Sequence, residues 1–395
     1  MDYFISDKMR GLRPSAIREI FKHAGDPGVI SFAAGDQAPE SLPVESIRKI
    51  LATMLDDNPS AALMYSQSEG HPPLRAALKE YAAAHGCFGE GDELIVTSGA
   101  QQCMDIICKT LCNEGDTIIC EDPSFIGSLN CFRSYNVNLV GVPMQPDGID
   151  IDRLETAIKA NPNTRLLYLI PNFQNPTAIT MSAEKRHAVY DIAKRYGLLI
   201  LEDNPYGDLR FAGEHIPAIK SLDTHGIVIY AGSFSKILST GMRVGYLIAP
   251  KELMSKIIVA KQCADVHTGM LGQLLCYRFL TEYDIAAHIQ QIRKIYADKC
   301  TLMLSEIKEH FPAEVVGTTP QGGLFIWCEM PPGADGDAFA TSLVRERKVC
   351  IVPGSAFAVN PGMHRNCFRM NFSMPPAEKI SEGIRIAGDL LHEII

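Results

Sequence analysis

From about residue 45 to about residue 280, short runs of consecutive apolar residues alternate with stretches whose apolar positions recur every three or four residues. The runs predict strands at Glu93–Thr97, Thr117–Glu121, Asn138–Val142, Leu166–Ile170, Leu198–Asp203, Ile227–Ala231 and Val244–Ala249. Between them, positions such as Met104, Ile107, Cys108 and Leu111 share one helical face. Continuously apolar strands alternating with helices imply a largely parallel sheet, because crossover helices cover both faces and leave no strand side to water. No full helix separates Ile227–Ala231 from Val244–Ala249, so the latter is expected as an antiparallel insertion.

Beyond about residue 285 the pattern changes. A long helical stretch, Ala286–Phe311, leads to predicted strands at Leu324–Glu329, Val349–Val352 and Phe368–Phe372. A closing helix, Ala377–His392, carries Ile380, Ile384, Ala387 and Leu391 on one face. Near the start, Ser15–His23 reads as a short helix with Ser15 as N-cap, followed by a turn-rich segment, Ser31–Pro43. At 395 residues the chain exceeds one comfortable core. The expectation is an α/β fold of two parts: a large domain over 45–284, with a mostly parallel seven-stranded sheet flanked by helices, and a smaller α+β domain formed by 1–44 with 285–395.

The net charge of -9 argues against nucleic acid or an anionic membrane as the main partner. An anionic small ligand would need local positive groups. The 12 cysteines include no C-x-x-C pair, and Cys108, Cys120 and Cys328 lie inside apolar runs. They read as reduced core residues of a cytosolic protein rather than a disulfide framework. Met1–Arg10 has no apolar signal core, and no apolar stretch reaches the ~20 residues of a membrane span. A soluble, cytoplasmic protein is expected. The 11 histidines show neither H-x-x-x-H nor H-x-H spacing, so no metal site is predicted.

Candidate chemistry collects at the ends of the predicted strands. Ser233-Phe-Ser-Lys236, continuing to Arg243-Val-Gly245, sets a lysine among hydroxyls and an arginine. Such a lysine can form a Schiff base with an aldehyde if its amine is made nucleophilic by a lowered pKa; taken alone, the motif reads better as a solvated loop lysine. Asp203, followed by Asn204-Pro205-Tyr206, ends a strand at the edge where open α/β sheets bind ligands. There it suits a pyridine nitrogen, although a turn aspartate is the plainer alternative. Asn175, in Pro171-Asn-Phe-Gln-Asn-Pro176, can donate to a phenolate oxygen or serve only a turn. Thr97-Ser-Gly-Ala-Gln101 is a strand-to-helix turn able to take a phosphate. Phe125 follows the next strand, placed to stack on a flat ring or to fill core.

The order and context of these motifs resemble fold-type I, class I/II aminotransferases over nearly the whole chain, from about Ser15 onward. Tyr65-Ser-Gln-Ser-Glu-Gly70, Leu74-Arg75 and Gly99-Ala-Gln-Gln are most similar to the branch containing 2-aminoadipate and kynurenine aminotransferases. The resemblance implies pyridoxal 5′-phosphate (PLP) as cofactor, carried by Lys236, with Asp203 at the pyridine nitrogen. It implies Asn175 and Tyr206 at the ring O3′, and Phe125 stacked on the ring. It assigns Ala100, Gln101, Ser233, Ser235 and Arg243 to the phosphate. Tyr65 would reach the same phosphate from a neighbouring subunit, which implies a homodimer with composite sites. Arg369, in Phe368-Arg-Met-Asn-Phe-Ser373, matches the arginine that grips the substrate α-carboxylate, a task that suits a planar fork. Gly35 matches a glycine touching that carboxylate, and Arg18 an arginine that can approach an acidic substrate side chain.

Two departures stand out. Phe125 replaces the family's usual stacking tyrosine, and Asp36-Gln37 follows Gly35 where the branch commonly has Leu-Pro. Asp36 could face the substrate or solvent, and Arg18 could be a solvated helix charge. The function implied is a ping-pong transaminase with aromatic, 2-aminoadipate-like or broad specificity, using 2-oxoglutarate. A lyase or decarboxylase of the same fold would use the same cofactor residues. A PLP-sensing regulator would need a DNA-binding domain, for which the stretch before residue 15 has no room. A non-catalytic binding protein would be expected to lose Lys236 or Asp203.

Overall fold

The computed structural model describes residues 3–10, 12, 26 and 28–395. The expected helix Ser15–His23, and Arg18 with it, lie outside the described residues. The strands are β1 (Ile30–Ser31), β2 (Asp92–Thr97), β3 (Thr117–Asp122), β4 (Asn138–Gln145), β5 (Gly148–Ile149), β6 (Thr164–Leu169) and β7 (Leu199–Asp203). They continue as β8 (Val228–Ser233), β9 (Gly245–Pro250), β10 (Val316–Gly317), β11 (Phe325–Glu329), β12 (Val349–Cys350), β13 (Val352–Pro353) and β14 (Cys367–Asn371).

The large sheet has the order β2-β9-β8-β7-β6-β3-β4-β5. The neighbours β8, β7, β6, β3 and β4 pair in parallel, whereas β9 lies antiparallel between β2 and β8. Each expected strand is present, and β9 is the antiparallel insertion that the short connection predicts. The count of seven is exceeded because β5, two residues long, returns on β4 as a hairpin. It is too short to leave an apolar run in the sequence.

Alternate strand residues supply opposite faces, as the two-residue period of a strand requires. Ile118, Cys120, Leu166, Tyr168, Leu201 and Ile229 join one core, while Ile119, Leu167, Leu169, Ile200 and Val228 join another on the far side. Helices cover both faces, so β8 and β9 are buried along their whole length. The 12 cysteines, none in a disulfide, follow the same logic: most are buried as small apolar groups.

The C-terminal part forms an antiparallel sheet, β10-β11-β14-β13. It packs with a long helix, Ile285–His310, and a final helix, Ala377–Ile394, whose Ile380, Ile384, Ala387 and Leu391 are buried. The N-terminal segment joins it through the parallel pair β1–β12 and through Asn371 N donating to Phe32 O at 2.7 Å. The strand β10 was not expected, since two residues carry no periodicity.

The first residue of β9 sits against the turn that leaves β2. A Cβ added to Gly245 would stand 2.8 Å from Gly99 C and 2.9 Å from Ala100 N. Gly245→Ala should therefore force that turn off the sheet and destabilise the protein by about 1–3 kcal/mol. The check is a lowered denaturant midpoint at unchanged m-value; an unchanged midpoint would contradict the contact.

Candidate active site

Every strand of the large sheet that runs with β7 delivers its carboxyl end to one edge, and the loops leaving that edge hold the chemistry. After β2, Gly99 takes φ +83° and starts the helix Ala100–Leu111 without any side chain capping its N-terminus. A side chain at Gly99 would also strike the Arg243 guanidinium, 2.5 Å from the Cβ position. After β7 come Asp203 and Tyr206, and after β8 come Ser233, Ser235 and Lys236. These loops enclose a cavity of about 360 Å³.

Gly35, Ala100, Gln101, Phe125, Asn175, Asp203, Tyr206, Ser233, Ser235, Lys236, Arg243 and Arg369 all line that cavity. Tyr65 does not: it is 90% exposed and stands edge-on to the His267 ring at 5.8 Å. Asp36 lines the cavity and is also exposed, so it stands where cavity and solvent meet.

Lys236 is partly buried, and its Nζ donates to Gly35 O at 2.7 Å. Burial pushes the amine down to about 8; the Asp36 carboxylate acts in the opposite sense, and Arg243 and Arg369 add to the fall. Asp203 is 4% exposed. Its Oδ2 accepts from Tyr168 Oη at 2.8 Å, while Oδ1 is buried without a partner. Burial drives this carboxyl up to about 7, and the Tyr168 hydrogen bond opposes the rise. A buried carboxylate oxygen without a donor is costly, so the site is built to receive one.

Arg369 is fully enclosed. It donates through Nη1 to Asn175 Oδ1 and through Nη2 to Ala33 O, both at 2.7 Å. Its guanidinium lies over the Phe325 ring at 4.0 Å and near that of Phe357 at 4.8 Å. Its Nε has no partner. Burial lowers its pKa to about 10, so a bound carboxylate would restore both charge balance and hydrogen bonding. Asn175 Nδ2 donates to Tyr206 Oη at 3.4 Å. Burial raises the Tyr206 phenol, keeping it protonated.

On the other side, Ser233 Oγ donates to Ser235 Oγ at 2.9 Å, and Arg243 Nη1 reaches Ser235 Oγ at 3.5 Å. Together with Ala100, Gln101 and the helix start they form an anion cradle.

Sequence reasoning missed several contributors. Tyr168 aligns with Leu201 in register, which places it on the face of Asp203, two residues further on. That alignment is not readable from one strand alone. Glu121, whose carboxyl burial raises to about 8, accepts from Ile170 N at 3.1 Å and Gln174 Nε2 at 3.3 Å and so shapes the loop carrying Asn175. Thr240, Met104, Phe325 and Phe357 complete the walls.

The donor set fits PLP: an orphaned carboxylate oxygen for a protonated ring nitrogen, a lysine of lowered pKa for the aldehyde, an anion cradle for the phosphate, and a buried fork for a substrate carboxylate. Such a site on this sheet defines a PLP-dependent enzyme. The comparisons with known proteins carry the assignment further. Residues 27–385 match the family model "Aminotransferase class I and II". Aromatic-amino-acid aminotransferase 1 of Thermococcus litoralis is 35% identical, covering 100% of this chain and 95% of that protein. The 2-aminoadipate transaminase of Thermus thermophilus is 35% identical, covering 97% of this chain and 95% of its own. The crystal structure of Pyrococcus horikoshii kynurenine aminotransferase superposes with a TM-score of 0.95 at 33% identity, covering 99% of this chain and 97% of that one. The chain belongs to the class I and II aminotransferases, and it is a PLP-dependent transaminase of fold-type I.

In the cofactor-free protein, carbamylation of Lys236 should rise with pH through a midpoint near 8, because its burial disfavours the ammonium form. Asp36→Asn should move that midpoint lower, since it removes the one carboxylate that favours the charged form. A midpoint at the ordinary lysine value, about 10.4, would show that the amine is not desolvated.

Proposed function

We propose that the chain exchanges the amino group between an L-amino acid and a 2-oxo acid in two half-reactions, with aromatic or 2-aminoadipate-like side chains accepted and 2-oxoglutarate as an amino acceptor. The observation that carries this reading is the partnerless Asp203 Oδ1 in the same cavity as Lys236 and Arg369. The names of relatives that act on aromatic amino acids, 2-aminoadipate and kynurenine support the substrate range. The apolar walls, Met104, Phe125, Ile126, Phe325 and Phe357, suit a substantial side chain.

When bound, the cofactor supplies a reactive aldehyde and a ring that accepts electrons. Asp203 Oδ1 would hold the ring nitrogen charged, with Tyr168 fixing Oδ2. Asn175 and Tyr206 would hold the O3′ oxygen, and Phe125 would supply the stacking face. Ala100, Gln101, Ser233, Ser235 and Arg243 would hold the phosphate. Arg369 grips the substrate carboxylate, with Gly35 beside it, and so orients the Cα–H bond. Lys236 Nζ takes the Cα proton, a task suited to an amine whose pKa lies close to the working pH. The buried walls exclude water from the reacting centre.

Part of the same proposal is a homodimer, in which the exposed Tyr65 completes the phosphate site of the neighbouring subunit. Arg18 is assigned to the approach of the substrate side chain. A cytoplasmic location is part of the same proposal, supported by 12 cysteines of which none is in a disulfide. The working division is a large domain at 45–284 and a small one at 1–44 with 285–395.

The test is a visible spectrum of the purified, PLP-loaded protein before and after a panel of amino acids, with Lys236→Ala beside it. Transamination predicts loss of the cofactor's yellow band, release of one equivalent of 2-oxo acid, no ammonia, and no response in the variant. Ammonia with a persisting band would identify a lyase instead. In steady state, Arg369→Gln should lower kcat/KM for both substrates by about a hundredfold, since a charge-assisted pair is worth about 1.5–3 kcal/mol. A loss confined to one substrate would remove Arg369 from the carboxylate site.

A further inference from the structure

Directly behind the turn that leaves β2, and outside the cavity lining, stands a fully buried lysine. Lys261, on the helix Lys251–Asp265, has 0% side-chain exposure. Its Nζ donates to Gln102 Oε1 at 2.7 Å, to Thr268 Oγ1 at 2.9 Å and to Asp265 Oδ2 at 2.8 Å, so all three ammonium hydrogens are used. An i,i+4 ion pair closing a helix end would account for Asp265. It does not account for the other partners, which lead back to the turn.

Gln102 Oε1 also accepts from Ser98 N at 2.8 Å, and Gln102 Nε2 donates to Asp265 Oδ2 at 2.9 Å. Ser98 Oγ donates to Asp265 Oδ2 at 2.6 Å and lies 3.2 Å from Thr268 Oγ1. The orientation of the Gln102 amide is therefore set by Lys261. An ammonium group can only donate, so it pairs with the amide oxygen, and that same oxygen accepts from Ser98 N–H. Between Asp265 and Thr268, Val266 adopts φ +65° and ψ -59°, and His267 N donates to Asp265 O at 2.7 Å. This is the strained form of γ-turn, rare for a β-branched residue, and it is held on both sides by groups bonded to Lys261.

We propose that Lys261 is a positioning residue for the cofactor phosphate: through Gln102, Asp265 and Thr268 it locks the turn Ser98–Gln102 in the form that presents Ala100 and Gln101 to an anion. Asp265 neutralises Lys261, so the effect is one of orientation, not of net field. The proposal rests on the reading of this turn as the phosphate site.

The experiment compares dissociation constants for PLP and for pyridoxal, its phosphate-free form, in the wild type, Lys261→Met, Lys261→Gln and Thr268→Val. Both ligands react with the same lysine, so the ratio of the two constants isolates the phosphate. Lys261→Met is expected to weaken PLP about tenfold or more while leaving pyridoxal within about twofold. Lys261→Gln, which keeps polarity without the ammonium, should fall between it and the wild type. Should Lys261→Met fail to fold, Thr268→Val still removes one bond from Lys261 and one contact from Ser98, with an expected loss for PLP of about threefold. Equal weakening of both ligands, or an unchanged ratio in every variant that folds, overturns the proposal and leaves Lys261 a purely structural ion pair. A wild type that binds PLP no tighter than pyridoxal would instead remove the phosphate from this turn altogether.

Discussion

Two backbone carbonyls, Ala33 O and Gly35 O, accept from two cations of the cavity, Arg369 and Lys236. The strap that carries them is anchored independently, with Phe32 bonded to both Cys350 and Asn371 and Gln37 Nε2 donating to Lys236 O at 3.0 Å. An amine and a guanidinium from distant parts of the chain are thus brought into one dry space at fixed separation. Without those acceptors Lys236 Nζ would lose this bond and Arg369 would keep only Asn175 Oδ1, a costly loss for cations taken out of water. Everything else in the cavity depends on this strap remaining where the β1–β12 pair puts it.

Within that space one cause, burial, moves Asp203, Tyr206, Lys236 and Arg369 toward their neutral forms, and the partners then set how far. Asp203 keeps one tyrosine bond and titrates near 7; Lys236 has a carbonyl and the nearby Asp36 and titrates near 8. Arg369 keeps its charge over two aromatic faces. The site therefore carries unmet demands of both signs, a partnerless oxygen at Asp203 and cationic donors at Arg369 and Arg243. These groups are fixed by the fold, which is the meaning of preorganisation here.

The departures from the branch pattern are not idle. Gln37 replaces a proline that could not make its bond, and it fastens the backbone of Lys236. Asp36 places a carboxylate in the cavity wall, where it supports protonation of the same lysine. Phe125, lacking a hydroxyl, still lines the cavity as an aromatic face.

The alternation of apolar runs and helical periodicity determined the large sheet almost strand by strand, because continuous burial on two faces leaves an unmistakable run of apolar residues. It also determined the antiparallel β9, through the shortness of its connection. Lys236, the strand-end Asp203 and Arg369 on β14 were legible as cavity residues for a similar reason: each sits at a strand end or in a motif whose order survives in one dimension. Short β5 and β10 left no pattern to read. Tyr168, Glu121 and Lys261 were invisible as site residues, since each looks like an ordinary core or helix position until strand register and helix packing place it against Asp203, Gln174 or Gln102. Placement of Asp36 in the wall was decided in three dimensions for the same reason. Local periodicity records which face a residue belongs to, whereas which charged groups share a cavity depends on distances between segments far apart in the chain.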